Sequence, residues 1–460
     1  MIDLVIKNAL VLEEAGEFKG GVAVKDGVIV AMGTDASLPQ AVQEIDSKGS
    51  YLLPGGGDPH CHIRYPAGDN REDFETGTKG AAISGTTSII EMPISIPPLS
   101  SMEALKARIK AIKNQAVVDV ALFGCAGGNH LEQIGLIAQT GIVGYKTYLH
   151  APQKGREKDF ESICTINNFQ LYKVMQNVAQ AKLPLAAHGE DNELMTGLML
   201  ELQARGQTKP YAHVLSRPAI VETLAVSKLL QLAKETDCEL YLVHISTPES
   251  VAAAIEARNN GVKLWIETCP HYLYLTDEAL DKFGAFAKCN PALRDSEQVK
   301  QMWQYVVNGC IDTIGSDHVP YRLEDKISED NNIFKTQSGF PGIETRNGLM
   351  LNAVTEGKVS LKRAIDLLCT NPAKAFGLYP QKGAIRIGAD ADFMICDLSK
   401  RWTVDSKKLQ TRARDVAKVY DGWPLSGRIS HTIIRGKVVC ENRHFMVEPG
   451  FGQWLTRKKG

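Results

Sequence analysis

Tyr51-Leu52-Leu53-Pro54-Gly55-Gly56-Gly57-Asp58-Pro59-His60-Cys61-His62 is the stretch on which the reading of this chain turns. Before it the sequence consists of short strand-like runs with Gly turns: Leu4 to Ile6, Gly21 to Lys25 and Val28 to Met32. After the glycines, short apolar strands alternate with longer helical patterns. The strands are Thr86 to Glu91, Val118 to Leu122, Gly141 to Lys146, Leu185 to His188, Leu240 to His244, Lys263 to Glu267 and Asp312 to Ser316. Helical stretches such as Met102 to Asn114, Phe169 to Lys182, Ile220 to Glu235 and Glu249 to Asn260 lie between them. Strand–helix alternation repeated this often predicts a parallel α/β barrel. Near Lys382-Gly383-Ala384-Ile385 the texture returns to strands, through Asp392 to Asp397 and Ile429 to Val439. The expected organisation is therefore a (β/α)8 TIM-type barrel over residues 55–380. Residues 1–54 and 381–460 would combine into one small β-sandwich, with a basic tail from Arg457 to Gly460 expected to fray.

Within the quoted stretch, His60 and His62 end an apolar strand. Residues two apart on a strand face one side, so both imidazoles can point into the barrel mouth, where barrel enzymes place their chemistry. Other strand ends repeat the theme. Lys146, His188, His244 and Asp317 each close an apolar run. One polar residue at a barrel rim is unremarkable; four of them after an H-x-H form a candidate metal and catalytic constellation. Cys61 and His318 alternate with the proposed ligands and should pack on the opposite side of their strands. Glu91 could steady the ligands from behind. Cys269 and His271 have no decisive role, and His130, His150, His213, His431 and His444 lack partnered contexts and read as ordinary histidines.

Composition excludes several classes. The chain has 460 residues, 44% hydrophobic and 23% charged, and a net charge of −1, which gives no basic face for nucleic acid or an anionic membrane. Ten scattered cysteines without a C-x-x-C pair fit reduced thiols of a cytoplasmic protein. The first residues alternate like a strand rather than a signal peptide, and no apolar run approaches the roughly 20 residues of a membrane span.

The motifs together resemble the amidohydrolase superfamily, in the branch of hydantoinases, dihydropyrimidinases, allantoinases and dihydroorotases, most closely the bacterial L-hydantoinases and the allantoinases. The resemblance rests on Asp58-x-His60-x-His62, Gly85-Thr86-Thr87, Glu91-Met92-Pro93, Cys269-Pro270-His271-Tyr272, Gly315-Ser316-Asp317-His318, Asn371-Pro372-Ala373-Lys374 and Gly388-Ala389-Asp390-Ala391-Asp392. It implies that His60, His62 and Asp317 hold one divalent metal and His188 and His244 another, with carbamylated Lys146 bridging them. The metal would be zinc, with manganese and cobalt as alternatives. It further implies that a hydroxide bridging the metals attacks a ring amide carbonyl while Asp317 carries the proton to the departing nitrogen. Arg64, Asn290 and Gly339 are implied as substrate contacts, and a homodimer or homotetramer as the assembly.

The substrate expected on this resemblance is a small cyclic amide or ureide, a hydantoin-type ring first and allantoin second. A dihydroorotase-like activity is the third reading. Arg64 follows His62 as in dihydroorotases, but Met92-Pro93-Ile94-Ser95 lacks their asparagine. Ala151 stands where dihydropyrimidinases carry a tyrosine, and Tyr148 comes too early to replace it. A catalytically silent scaffold is the non-enzyme alternative, disfavoured because every expected ligand position is filled.

Overall fold

A computed structural model describes residues 1–66, 71–152 and 155–457 of the chain. Eight strands form one wholly parallel sheet in chain order: Gly56–Cys61, Thr86–Glu91, Asp119–Cys125, Gly144–Tyr148, Leu185–His188, Leu240–Leu242, Leu264–Thr268 and Thr313–Ile314. The first and last strands meet through a bridge between Cys61 and His318, with Asp317 N donating to His60 O at 2.9 Å and His62 N to His318 O at 2.8 Å. Asp58 reinforces the seam by accepting from Ser316 N at 3.0 Å. The sheet thus closes into a barrel, as the alternation predicts.

Helices cover the outside, and their starts are set by local chemistry. Ser101, Asn167 and Thr247 accept a backbone N–H at the N-termini of Met102–Gln115, Asn168–Ala181 and Pro248–Asn259. Such caps satisfy donors that have no partner within the helix. Inward-facing Ile90, Ala121, Phe123, Ala186 and Tyr241 fill the barrel together with Phe376, whose ring packs edge-on to Phe123 at 5.2 Å. The interior is a packed core, which leaves only the strands' C-terminal ends open to a ligand.

The two ends of the chain meet in a second, mixed sheet of nine strands. Strand Tyr51–Pro54 is its hinge, running parallel to Ile2–Glu13 and antiparallel to Phe393–Thr403. The chain then enters the barrel at once. Gly55 permits this crossing, because a Cβ there would lie 2.3 Å from the Thr87 side chain. The sheet wraps its own core of Leu4, Val22, Leu52, Phe393, Ile395 and Ile433, which agrees with the sandwich expected from the two terminal segments. A buried Lys382, 2.7–2.9 Å from Asp119, Asp390 and Asp392, ties this sheet to the floor of the third barrel strand.

The C-terminal segment does not end in the sandwich. Val120 N donates to Gln453 O and Leu455 N to Val120 O, both at 2.8 Å, so the segment returns along the barrel. Of the expected frayed end, Arg457 donates to Gly141 O at 3.1 Å; residues 458–460 lie outside the described residues. Among the described residues no helix is long and apolar enough to cross a membrane.

Candidate active site

The six sequence-predicted ligands converge at the C-terminal mouth of the barrel. His60, His62 and Asp317 present donor atoms within 4.8 Å of one another. Asp317 Oδ1 lies 3.2 Å from His60 Nε2 and 3.4 Å from His62 Nε2. The imidazoles continue as an arc: the centroids of His62 and His60 are 5.4 Å apart, of His60 and His244 5.3 Å, and of His244 and His188 4.6 Å. Lys146 is wholly buried beside them, and its Nζ has no hydrogen-bond partner among the described residues. That is an unusual position for an amine, because burial without an acceptor costs free energy.

The electrostatics suit cation binding. Burial holds His62 and His244 well below the usual imidazole range, and holds His188 down to about 3. All three are therefore neutral at pH 7, the form that ligates metal. Burial likewise pulls Lys146 down to about 7 and pushes Asp317 up to about 6. The backbone turns sharply at three of these places. Arg64, His244 and Asp317 have φ of 58°, 41° and 43°, a left-handed conformation that costs L-residues about 1–3 kcal/mol each. The turns aim the last two side chains back across the mouth.

Two residues that the sequence reading passed over hold the histidines in place. Glu267 Oε1 accepts from His60 Nδ1 at 2.7 Å and from His244 N at 2.9 Å. Glu190 Oε2 meets His188 Nε2 at 2.9 Å and is itself paired with Arg217 at 3.2 Å. Burial would raise the Glu190 carboxyl, but Arg217 and His188 outweigh it and hold the group well below its usual range. Such carboxylate–imidazole pairs fix which ring nitrogen faces a metal. Gly315 allows the crowding, since a Cβ there would fall 2.7 Å from Glu267 Oε2. Glu267 closes the run Lys263 to Glu267 as Lys146 and His188 close theirs, so its signal was present in the sequence. Replacing Glu267 by Gln, which removes the charge but keeps the shape, is expected to weaken zinc binding about 10–100-fold; a competition titration with a chromogenic chelator checks it.

A cleft of about 520 Å³ opens over the cluster. Arg64, Asn290 and Gly339 line it. Three expectations change here. His150, read as an ordinary histidine, also lines the cleft, its ring 5.0 Å from that of His188. Tyr148, read as too early to reach a substrate, stacks on His188 at 5.0 Å and faces the same space. Glu91 steadies Arg64, accepting from its backbone N at 3.2 Å while paired with buried Arg108, rather than a proposed ligand. These placements depend on loop paths that no periodicity encodes. Cys61 is buried with Sγ 3.7 Å from Ile90 O, and His318 Nδ1 accepts from Gly342 N at 3.3 Å; both pack, as expected. His271 packs against Phe340 and Tyr272. His213 is buried with Nε2 2.8 Å from Cys289 O, away from the cleft lining.

A barrel with this histidine, lysine and aspartate mouth defines a metal-dependent hydrolase class, and comparison with known proteins agrees. The model of the amidohydrolase family matches residues 51–439, and the chain belongs to that family. It is 34% identical over 460 residues to an L-hydantoinase of Paenarthrobacter aurescens, covering 100% of this chain and 99% of that one. It is 33% identical over 450 residues to an allantoinase of Deinococcus radiodurans, covering 97% of each. Among solved structures, an L-hydantoinase (dihydropyrimidinase) from Arthrobacter aurescens superposes with a TM-score of 0.93 at 32% identity, covering 99% of this chain and 100% of the other. A dihydropyrimidinase from Brevibacillus agri gives 0.91 at 29% identity over 99% of both chains.

Proposed function

We propose that this protein hydrolyses the cyclic amide bond of a hydantoin-type ring at a centre of two divalent metal ions. The observation that carries the reading is the convergence of His60, His62 and Asp317 with His188 and His244 around the buried, unpartnered Lys146 Nζ. The donor set fits zinc: neutral imidazoles and a carboxylate, with orienting carboxylates behind two of the rings. His60, His62 and Asp317 would hold one ion and His188 and His244 the other. Lys146 would bridge them as a carbamate, because an ammonium cannot ligate a cation whereas the product of its amine with carbon dioxide can. When bound, the ions polarise the amide carbonyl and acidify water at neutral pH.

The chain's own residues do the rest. Asp317 is the only carboxylate among the described cleft-lining residues, so it is the group placed to move a proton. It accepts the proton of the attacking water as the new C–O bond forms. It then returns that proton to the ring nitrogen as the C–N bond breaks, leaving an open-chain carboxylate. Tyr148 and His150 wall the cleft beside His188, and Asn290 and Gly339 border the space for the ring.

Allantoin is a second reading, favoured by one feature: Arg64 and Arg156 both line the cleft with donors that a ureido carbonyl could accept. The protein would act as a homo-oligomer, a dimer or tetramer, in the cytoplasm. The test is ring opening by zinc- and bicarbonate-loaded protein on hydantoin, both enantiomers of a 5-substituted hydantoin, allantoin, dihydrouracil and dihydroorotate. A hydantoin should be preferred. Turnover of none, with two metals bound per chain, would sink the reading.

A further inference from the structure

One wall of the cleft, beyond the metal-ligand cluster, is cationic. Around the ring of Tyr321 stand the guanidinium carbons of Arg64 at 5.4 Å, Arg71 at 5.2 Å and Arg156 at 5.8 Å, with Lys326 Nζ at 5.7 Å. Arg64 and Arg156 line the cleft itself and are only 5% and 7% exposed. They come from separate segments, Arg64 from the turn after the first barrel strand and Arg156 from the loop after the fourth. Both donate to one phenolic oxygen, Arg156 Nη1 at 2.7 Å and Arg64 Nη2 at 3.5 Å. They also share one carboxylate. Asp159 Oδ2 lies 2.9 and 2.6 Å from Arg156 Nε and Nη2 and 3.6 Å from Arg64 Nη1. Arg64 Nε is buried with no hydrogen-bond acceptor among the described residues.

Two guanidiniums against one shared carboxylate leave excess positive charge on a wall from which water is largely excluded. A buried donor without an acceptor costs about 1–3 kcal/mol, more when charged, unless something completes it. Guanidinium is the side chain best matched to a carboxylate, and a charged cleft wall concentrates the opposite ion. We infer that Arg64 and Arg156 form a subsite for a carboxylate on the ring's side arm, so that the preferred substrates are cyclic ureides bearing an anionic substituent. This rests on the ring-opening reading and names the substrate class within it.

The test compares matched substrates on the zinc-loaded, full-length protein: 5-(2-carboxyethyl)hydantoin and its carboxamide, which are near-isosteric and differ in charge, with hydantoin and allantoin as neutral references. The acid should be favoured in kcat/KM by on the order of tenfold or more, the range of a charge-assisted hydrogen bond. Most of that difference should lie in KM. Arg156→Gln should lower kcat/KM for the acid on the order of tenfold more than for the amide. The wild-type comparison stands even if that variant folds poorly. Equal turnover of acid and amide, preference for the amide or allantoin, or an equal loss on both in Arg156→Gln would overturn the inference and leave ring opening intact. Opening of none of the four rings would overturn both.

Discussion

Lys146→Ala is expected to abolish ring opening, with kcat/KM falling about a thousandfold or more and bound zinc dropping from two ions per chain to one or fewer. The side chain is the one group placed between the His60–His62 and His188–His244 halves of the site, wholly buried and with Nζ unpartnered among the described residues. Removing the bridge removes the carboxylate that would offset the charge of two neighbouring ions. Loss of several kcal/mol of transition-state charge stabilisation corresponds to three or more decades in rate. The same substitution deletes an amine whose burial is costly without a partner. The metal-free variant should therefore keep its melting temperature within a few degrees of the metal-free wild type, about the shift produced by 1 kcal/mol. Metal analysis, initial rates and thermal melts on one preparation separate the two effects. Full activity in Lys146→Ala would remove the bridging role.

Asp317→Asn is the second large effect. The amide keeps the shape and still offers an oxygen toward His60 and His62, but it cannot take up a proton at neutral pH. A fall in kcat on the order of a thousandfold is expected, within the 10²–10⁴ range of general acid–base catalysis, with at least one ion retained. Loss of the rate together with all metal would make Asp317 a ligand only. Full activity with both ions in place would contradict its assignment as proton carrier.

The barrel was legible because its signal is local and repeated. Thr86–Glu91 and Leu185–His188 fall where the apolar runs place them, and the helices at Met102–Gln115 and Pro248–Asn259 match their patterns to within a residue. A parallel strand buried on both faces reads as a short apolar run, and its polar last residue stands out against it. For that reason His60, Lys146, His188, His244 and Asp317 could be picked from the sequence and are found together at one mouth. The cleft walls were far less legible. Arg156, Tyr321 and His150 sit on loops, and their meeting with Arg64 depends on loop geometry that leaves no periodic trace. Tyr148 was misjudged for a related reason: counting residues from Lys146 says nothing about a strand end whose ring stacks on the neighbouring strand's His188. The pairing of residues 2–13 with 51–54, and of 51–54 with 393–403, was an inference from texture alone, since strand partners distant in sequence carry no mark of each other.

The central claim is that six side chains build one two-metal centre, and anomalous diffraction from crystals loaded with zinc and bicarbonate tests it most directly. Two zinc peaks are expected, one beside His60, His62 and Asp317 and one beside His188 and His244, with electron density extending past Lys146 Nζ to join them. A single peak at full zinc occupancy, or a Lys146 side chain ending at a bare amine between two peaks, would contradict it.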